Sequence, residues 1–347
     1  HQGYIEPTAS VAAPDPSGAG VIVYSSCQGQ FDVRTQLATI LELPLDAIRI
    51  VPMPIGGGFG GKRGLADPLA AAAALHLGRP VKIVLDRSSD LATTTPSPAM
   101  QIKMELGANR SGELTALRAE LWLNNGAFPI GMAAFVANQL SGCYRLPHLH
   151  IRWHDVCTNV HTGGGYRAPG APQTTFAIET AIDALANRLS IDPLEFRARN
   201  VVHPGDPQPN GTPWPPGAQN ACIDAARTHP LWLSRNTSSE QGLIGTGVAF
   251  AGWIPLVDPC AVYCRVDPDG TVVVILGAID ISGVFSSLVL VAAEELGIAP
   301  IHVRLHTADS ASAPHGPSAG GSNITCSAAD AVRSAAREVK HQILSLA

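Results

Sequence analysis

At 347 residues the chain is long enough for two domains with real cores. Hydrophobic residues make up 46% and charged ones 15%, with 34 Gly and 28 Pro, the profile of a loop-rich α/β protein and not of a disordered chain. A net charge of −5 without a basic stripe excludes a nucleic-acid partner, and no apolar run approaches the roughly 20 residues of a membrane span.

In chain order, Val21-Ile-Val-Tyr24 reads as a strand that enters the polar turn Ser25-Ser-Cys-Gln-Gly-Gln30, followed by a helix-like segment to Leu41. A β-like run, Ile48 to Val51, then leads into Gly56-Gly-Gly-Phe59-Gly-Gly-Lys62-Arg63, and an alanine-rich helix is predicted over Leu69 to Leu77. Five glycines around one phenylalanine let the backbone approach a ligand closely, with free N–H groups aimed at an anion. The phosphate-loop pattern fits through Lys62 and fails at Arg63, where a Ser or Thr should hold magnesium. The dinucleotide fingerprint also fits, as Gly56, Gly58 and Gly61, with a strand from Val81 to Leu85 ending in Asp86 as a ribose-binding acid. Against it, Pro52 and Pro54 crowd the supposed βα turn and no βαβ series follows. A glycine-rich turn that merely packs tightly stands as the third reading.

Leu149 to Val156 reads as a strand with His148, His150 and His154 on one face, a rim of polar histidines more than a metal site. His161-Thr-Gly-Gly-Gly-Tyr166-Arg167-Ala-Pro169-Gly-Ala-Pro172 follows, then a helix from Thr174 to about Leu189 whose Ile178, Ile182 and Leu185 have core spacing. Arg167, in a loop of glycines and prolines just before a helix, suits recognition of an anion or oxo group. Asp192 is placed as an N-cap with Pro193 at the first helical position. Pro and Gly crowd residues 206–220, which read as a linker between domains at 1–205 and 221–347. The seven cysteines are scattered, with only Cys260 and Cys264 close together, which points to reduced thiols in a cytoplasmic protein. Cys27 reads as a small buried hydrophobe.

The second domain echoes the first. Val272 to Gly277 reads as a strand, Asp280-Ile-Ser282-Gly283 as a polar loop, then a helix through Glu295, a strand in Leu296 to Val303, and the small-residue loop Pro317-Ser-Ala-Gly320-Gly321-Ser322-Asn323. Two similar halves, each presenting a backbone-rich loop, imply one large ligand clasped between them.

Taken together and in order, His1-x-x-x-x-Glu6-Pro7, Ser26-Cys-Gln28, Gly56 to Lys62, Tyr166-Arg167-Ala-Pro-Gly, Asp192 to Asn200, Ala292-Ala-Glu-Glu-Leu-Gly297 and Gly320-Gly-Ser322 make the chain resemble the molybdopterin-binding large subunit of the xanthine oxidase family, the molybdenum hydroxylases. The resemblance implies an α+β/α/β fold of two related molybdopterin-binding domains of the aldehyde oxidase/xanthine dehydrogenase type, the second truncated. By position it makes Gln28, Gly58, Phe59, Gly60, Arg167, Gly320, Gly321 and Ser322 cofactor-binding, and Arg63 and Pro169 substrate-pocket residues. It implies a molybdopterin-type molybdenum cofactor, with the cytosine dinucleotide form as one option, and no direct protein ligand to the metal. The implied reaction is hydroxylation of an aldehyde or N-heteroaromatic substrate with water-derived oxygen. Electrons would pass to 2Fe-2S and FAD modules on partner chains or missing segments, in a dimer of heterotrimers.

Departures from the family pattern shape the expectation. Arg63 stands where purine-oxidising members carry a glutamate, and Pro169 where they carry a phenylalanine, so xanthine is disfavoured. The family's base glutamate lies in a segment beyond Ala347, so no catalytic residue falls in this chain, which is expected to be an internal fragment inactive alone. A Rossmann-like nicotinamide-binding protein or an inactive cofactor scaffold is the alternative.

Overall fold

The computed structural model describes residues 1–18, 20–235 and 245–346. Two compact units share the chain: residues 1–96, 165–167 and 254–347 form one, and residues 97–164 and 168–253 the other.

The first unit begins with β1 (Ala9–Pro14), β2 (Val21–Ser25), α1 (Gln30–Leu41), β3 (Ile48–Pro52), α2 (Asp67–Leu77), β4 (Val81–Val84) and α3 (Arg87–Thr93). Its sheet runs β3-β2-β1-β4. β2 and β3 are parallel and α1 is their crossover, while β1 is antiparallel to both its neighbours. Val21, Val23, Ile48 and Ile50 face Val33, Leu37 and the alanines Ala70, Ala71 and Ala74, whose short side chains let α2 lie close on the sheet. Cys27 belongs to this core, and burial pushes its thiol up to about 11, so it is an unreactive hydrophobe.

Within the second unit, β5 (Met100–Ala108), β6 (Leu114–Gly126) and β7 (His148–Cys157) form a sheet in that order, with α4 (Ala133–Ala137), α5 (Ala171–Arg188), α6 (Pro193–Asn200), α7 (Gln219–Thr228) and α8 (Pro230–Leu233). Asp192 caps α6, accepting the N–H groups of Leu194 and Glu195 at 2.9 and 3.1 Å. Ile178 and Ile182 of α5 are fully buried beside Phe196 of α6. Arg197 is buried here, its Nη2 2.8 Å from Glu179 and 2.8 Å from Asp183. Glu179 also accepts the Tyr144 hydroxyl and the Phe250 N–H. Burial and the Glu179 charge push the Tyr144 phenol well above its ordinary value.

The first unit resumes with β8 (Val262–Val266), β9 (Val272–Leu276), α9 (Val284–Leu296), β10 (Val303–Thr307) and α10 (Asn323–Leu346). The sheet runs β10-β9-β8, with β9 and β10 parallel around α9 and β8 antiparallel to β9. This is the topology of β3-β2-β1 around α1. Even a 3-10 turn before the last strand recurs, Leu45–Ala47 in one half and Pro300–His302 in the other. The repeat expected from sequence is therefore present, with one shift. Leu296 to His302 is the helix end and turn, and the strand itself is Val303–Thr307. Pro300 lacks the N–H a strand ladder needs, so pairing starts only beyond it.

The same topology overturns the nicotinamide-binding reading. Residues 53–66 separate β3 from α2, so the glycine loop is no tight βα turn. Asp86, the supposed ribose ligand, caps α3 by accepting the Ser89 N–H at 2.7 Å.

Two stability outcomes are expected. Arg197→Met, which strands Glu179 in the interior, should cost about 3–5 kcal/mol, whereas Arg227→Met at the half-exposed pair with Glu195 should cost below about 1 kcal/mol, both read by urea unfolding. Asp67 is 3% exposed and burial pushes its carboxyl above the ordinary carboxylate range. The hydroxyls of Ser10 and Ser25 lie beside it and only partly offset the effect of burial. The native state thus holds this proton more tightly than the unfolded chain, and stability falls as pH rises above about 4 through the native-state value. Asp67→Asn removes that loss. Its melting temperature relative to the parent should climb between about pH 3 and pH 7, and a flat difference would contradict the assignment.

Candidate functional site

The site is built where the loops after the parallel strands of the first unit's two halves meet. Gln28 sits in the turn between β2 and α1 and is 3% exposed. Its Oε1 accepts the N–H groups of Gly60 and Lys62 at 2.9 and 3.2 Å, and its Nε2 donates to Ala319 of the second half at 2.6 Å. Its main chain makes the same bridge, donating to Lys62 O at 2.8 Å and accepting from Ala319 N at 2.7 Å. Both lone pairs of the side-chain oxygen are spent, and one Nε2 proton has no partner among the described residues.

The glycine loop divides its own donors. Gly56 donates to Glu6, Gly60 and Lys62 to Gln28, and Gly61 to the Gly58 carbonyl. Among the described residues, the N–H groups of Gly57, Gly58 and Phe59 find no acceptor. Three successive unpaired amides form a concave donor surface suited to an anion or an oxo group. The sequence expectation of free donors is thus borne out for the middle of the loop and corrected at its ends, where the protein uses them itself.

Backbone strain gathers here. Phe59, Ser282 and Ser322 adopt left-handed φ of 50°, 62° and 60°, a region that non-glycine residues occupy at a cost of about 1–2 kcal/mol. Each lies in one of the first unit's loops, after β3, β9 and β10 respectively. The Phe59 carbonyl accepts the N–H of Arg167 at 3.0 Å, and the Arg167 guanidinium lies 5.8 Å from the Phe59 ring centre. Arg167 is exposed and has no carboxylate partner among the described residues. Gly60 permits this meeting, because a Cβ there would sit 2.2 Å from the Gly165 carbonyl oxygen.

Gly320, Gly321 and Ser322 lead into α10. Ser322 is exposed, and neither its N–H nor its hydroxyl has a partner among the described residues, whereas the Asn323 N–H that begins α10 donates to Gly320 O at 3.3 Å and the Asn323 side chain accepts the Gly320 N–H at 3.2 Å. Arg63 lies on Gly320, where an added Cβ would meet its Nη2 at 2.3 Å. Among the described residues its ion partner is Asp32, at 3.9 Å. Pro169 belongs to the second unit, where its carbonyl accepts from Gln139 at 3.0 Å. A cavity of about 450 Å³ adjoins the loop after β9, lined by Met53, Pro54, Ile55, Asp280, Ser282 and Thr307 among others. Ser282 occupies the position in the second half that Gln28 occupies in the first, just before the glycine that starts the crossover helix. Among the described residues no three His, Cys, Asp or Glu converge on a possible metal site, and His154 instead pairs with Glu120 at 2.9 Å.

Residues 1–201 and 225–347 each match the profile of the molybdopterin cofactor-binding domain. The chain belongs to the xanthine oxidase family, as part of its molybdopterin-binding subunit. The xanthine dehydrogenase molybdenum-binding subunit of Escherichia coli O157:H7 is 31% identical over 94% of this chain and 46% of its own length. The aldehyde oxidoreductase molybdenum-binding subunit PaoC of the same organism is 34% identical over 88% of this chain and 42% of its own. The chain thus spans less than half the length of these curated relatives. Its fold matches that of the aldehyde oxidoreductase of Desulfovibrio gigas with a TM-score of 0.88 at 25% identity, covering 96% of this chain and 38% of that one. No helix among the described residues is long and apolar enough to cross a membrane.

A family loop held this tightly should tolerate no side chain at its crossing point. Gly60→Ala adds a methyl against a carbonyl and forces a φ of 101° on an alanine. It should cost about 3 kcal/mol or more by thermal unfolding, whereas Gly18→Ala, with open space around it, should cost only about 1 kcal/mol from its left-handed φ.

Proposed function

We propose that this chain is the cofactor-holding part of a molybdenum hydroxylase that oxidises an aldehyde or an N-heteroaromatic compound with oxygen from water. The observation that carries this reading is the run of unpaired amides at Gly57, Gly58 and Phe59, fixed in place by the side chain of Gln28. Together with the exposed Arg167 and the unpaired Ser322, they offer donors that fit an anionic molybdopterin group without any protein ligand to the metal.

In this reading the molybdenum group, when bound, supplies two-electron oxidation of a carbon centre with water as the oxygen source. The chain's own residues bind and orient. The amides of Gly57 to Phe59 and the spare Nε2 proton of Gln28 would hold oxygens of the bound group, and Arg167 would add positive charge beside them. Gly320, Gly321 and the unpaired Ser322 would help hold the cofactor's anionic part, and the cavity beside Ser282 would accept a nucleotide extension such as cytosine dinucleotide. Held donors of this kind stabilise developing negative charge without reorganising during the reaction. Arg63 and Pro169, the positions assigned to substrate recognition, disfavour a purine.

The proton-accepting base, the 2Fe-2S clusters and the FAD belong to other segments or partner chains, in a cytoplasmic dimer of heterotrimers. The two cofactor-binding domains are assigned to residues 1–205 and 221–347. Aldehyde and heteroaromatic substrates are both favoured by the relatives' own activities, which include aldehyde oxidation and nicotinate hydroxylation.

Elemental analysis of the native complex recovered through this chain should give near-stoichiometric molybdenum, accompanied by iron. Gln28→Ala should lower molybdenum content by roughly 10–100-fold, the usual effect of losing an outer-shell partner. A metal-free parent complex from molybdate-replete cells would sink the reading.

A further inference from the structure

The glycine loop has a second attachment that the proposed chemistry does not use. Lys62, its last residue, is fully buried, and its ammonium pairs with Oε2 of Glu6 while lying 4.8 Å from the centre of the Tyr4 ring. The same Oε2 accepts the N–H of Gly56, the first residue of the loop, at 2.6 Å. One carboxylate therefore ties both ends of the loop together. The segment carrying it also forms the floor under the loop. An added Cβ would lie 2.4 Å from Glu6 Cβ at Gly56, 3.1 Å from Tyr4 Cβ at Gly57 and 3.1 Å from the Gln2 side chain at Gly61. Gln2 Nε2 donates onward to Gly165 O at 3.0 Å, so the same strap steadies the approach of Arg167.

A loop of five glycines has wide conformational freedom, and ordering it only on binding would weaken affinity. Gln28 holds the loop at Gly60 and at the Lys62 main chain, while the Gly56 end and the Lys62 ammonium are held by Glu6. A buried ammonium tolerates the loss of its counter-ion poorly, so this tie is also hard to break.

We propose, on the cofactor-binding reading above, that Glu6 is the positioning residue of the glycine loop. By joining Gly56 to Lys62 it holds the amides of Gly57, Gly58 and Phe59 outward and unpaired before any ligand arrives. Glu6 touches no reacting atom. Its effect is exerted through the loop.

The test compares the full-length protein in its native complex as parent, as Glu6→Gln, and as Glu6→Ala combined with Lys62→Met. The double change leaves no unpaired buried charge, whereas a single change to an apolar residue at Glu6 would strand the Lys62 ammonium. Amide hydrogen exchange in the 56–62 segment is followed on cofactor-free protein, with strand 272–276 as internal reference. Molybdenum and pterin per chain are measured on protein from molybdate-replete cells. Exchange in 56–62 should quicken on the order of tenfold in the double variant while the strand is unchanged. Cofactor content should fall about tenfold. Glu6→Gln, which keeps an acceptor for Gly56, should fall between. Unchanged exchange in 56–62 overturns the assignment, and so does faster exchange with parental cofactor content. A parent without molybdenum would defeat the cofactor reading instead, and the exchange comparison would then decide on Glu6 by itself.

Discussion

Gln28 is the joint on which the first unit's arrangement depends. Through side chain and main chain it makes three bonds to the glycine loop of its own half and two to Ala319 of the other. A buried amide cannot leave these positions unpaired without a penalty of about 1–3 kcal/mol per group, so its orientation is dictated by its surroundings. That orientation fixes which loop amides are used internally and which remain available. It also leaves a single donor proton on Gln28 without a partner among the described residues.

The rest of the joint is consistent with this role. Gln30 donates to the carbonyls of Gly277 and Ala308, and Ser310 exchanges two hydrogen bonds with Ile50. Each half brings a parallel strand pair with one crossover helix, so the carboxyl ends of its strands open onto loops that must be filled by something. The loops answer partly with one another and partly with donors left unpaired. Left-handed backbone at Phe59, Ser282 and Ser322 is the strain this arrangement stores, and it falls on the loops and not on the sheets.

The second unit contributes a different kind of order. Glu179 and Arg197 form a buried pair that also holds Tyr144 and the Phe250 amide, which ties the returning segment near 250 to α5 and α6.

Much of this was legible in the sequence. The repeat announced itself because both halves alternate apolar runs with small-residue loops, and the ordered motifs pointed to the family. Elements such as β3, α2 and the Asp192 cap follow from local pattern, since alternation, alanine spacing and side-chain capping act within a few residues. What the sequence could not display is where donors end up. Glu6 and Lys62 are 56 residues apart and Gln28 and Ala319 are 291 apart, and only folding shows that they meet. Left-handed φ at a serine or a phenylalanine is likewise invisible in the chain, because neither residue type favours it. Local chemistry determined the elements and the family. Long-range hydrogen bonding decided which three amides of the glycine loop remain free.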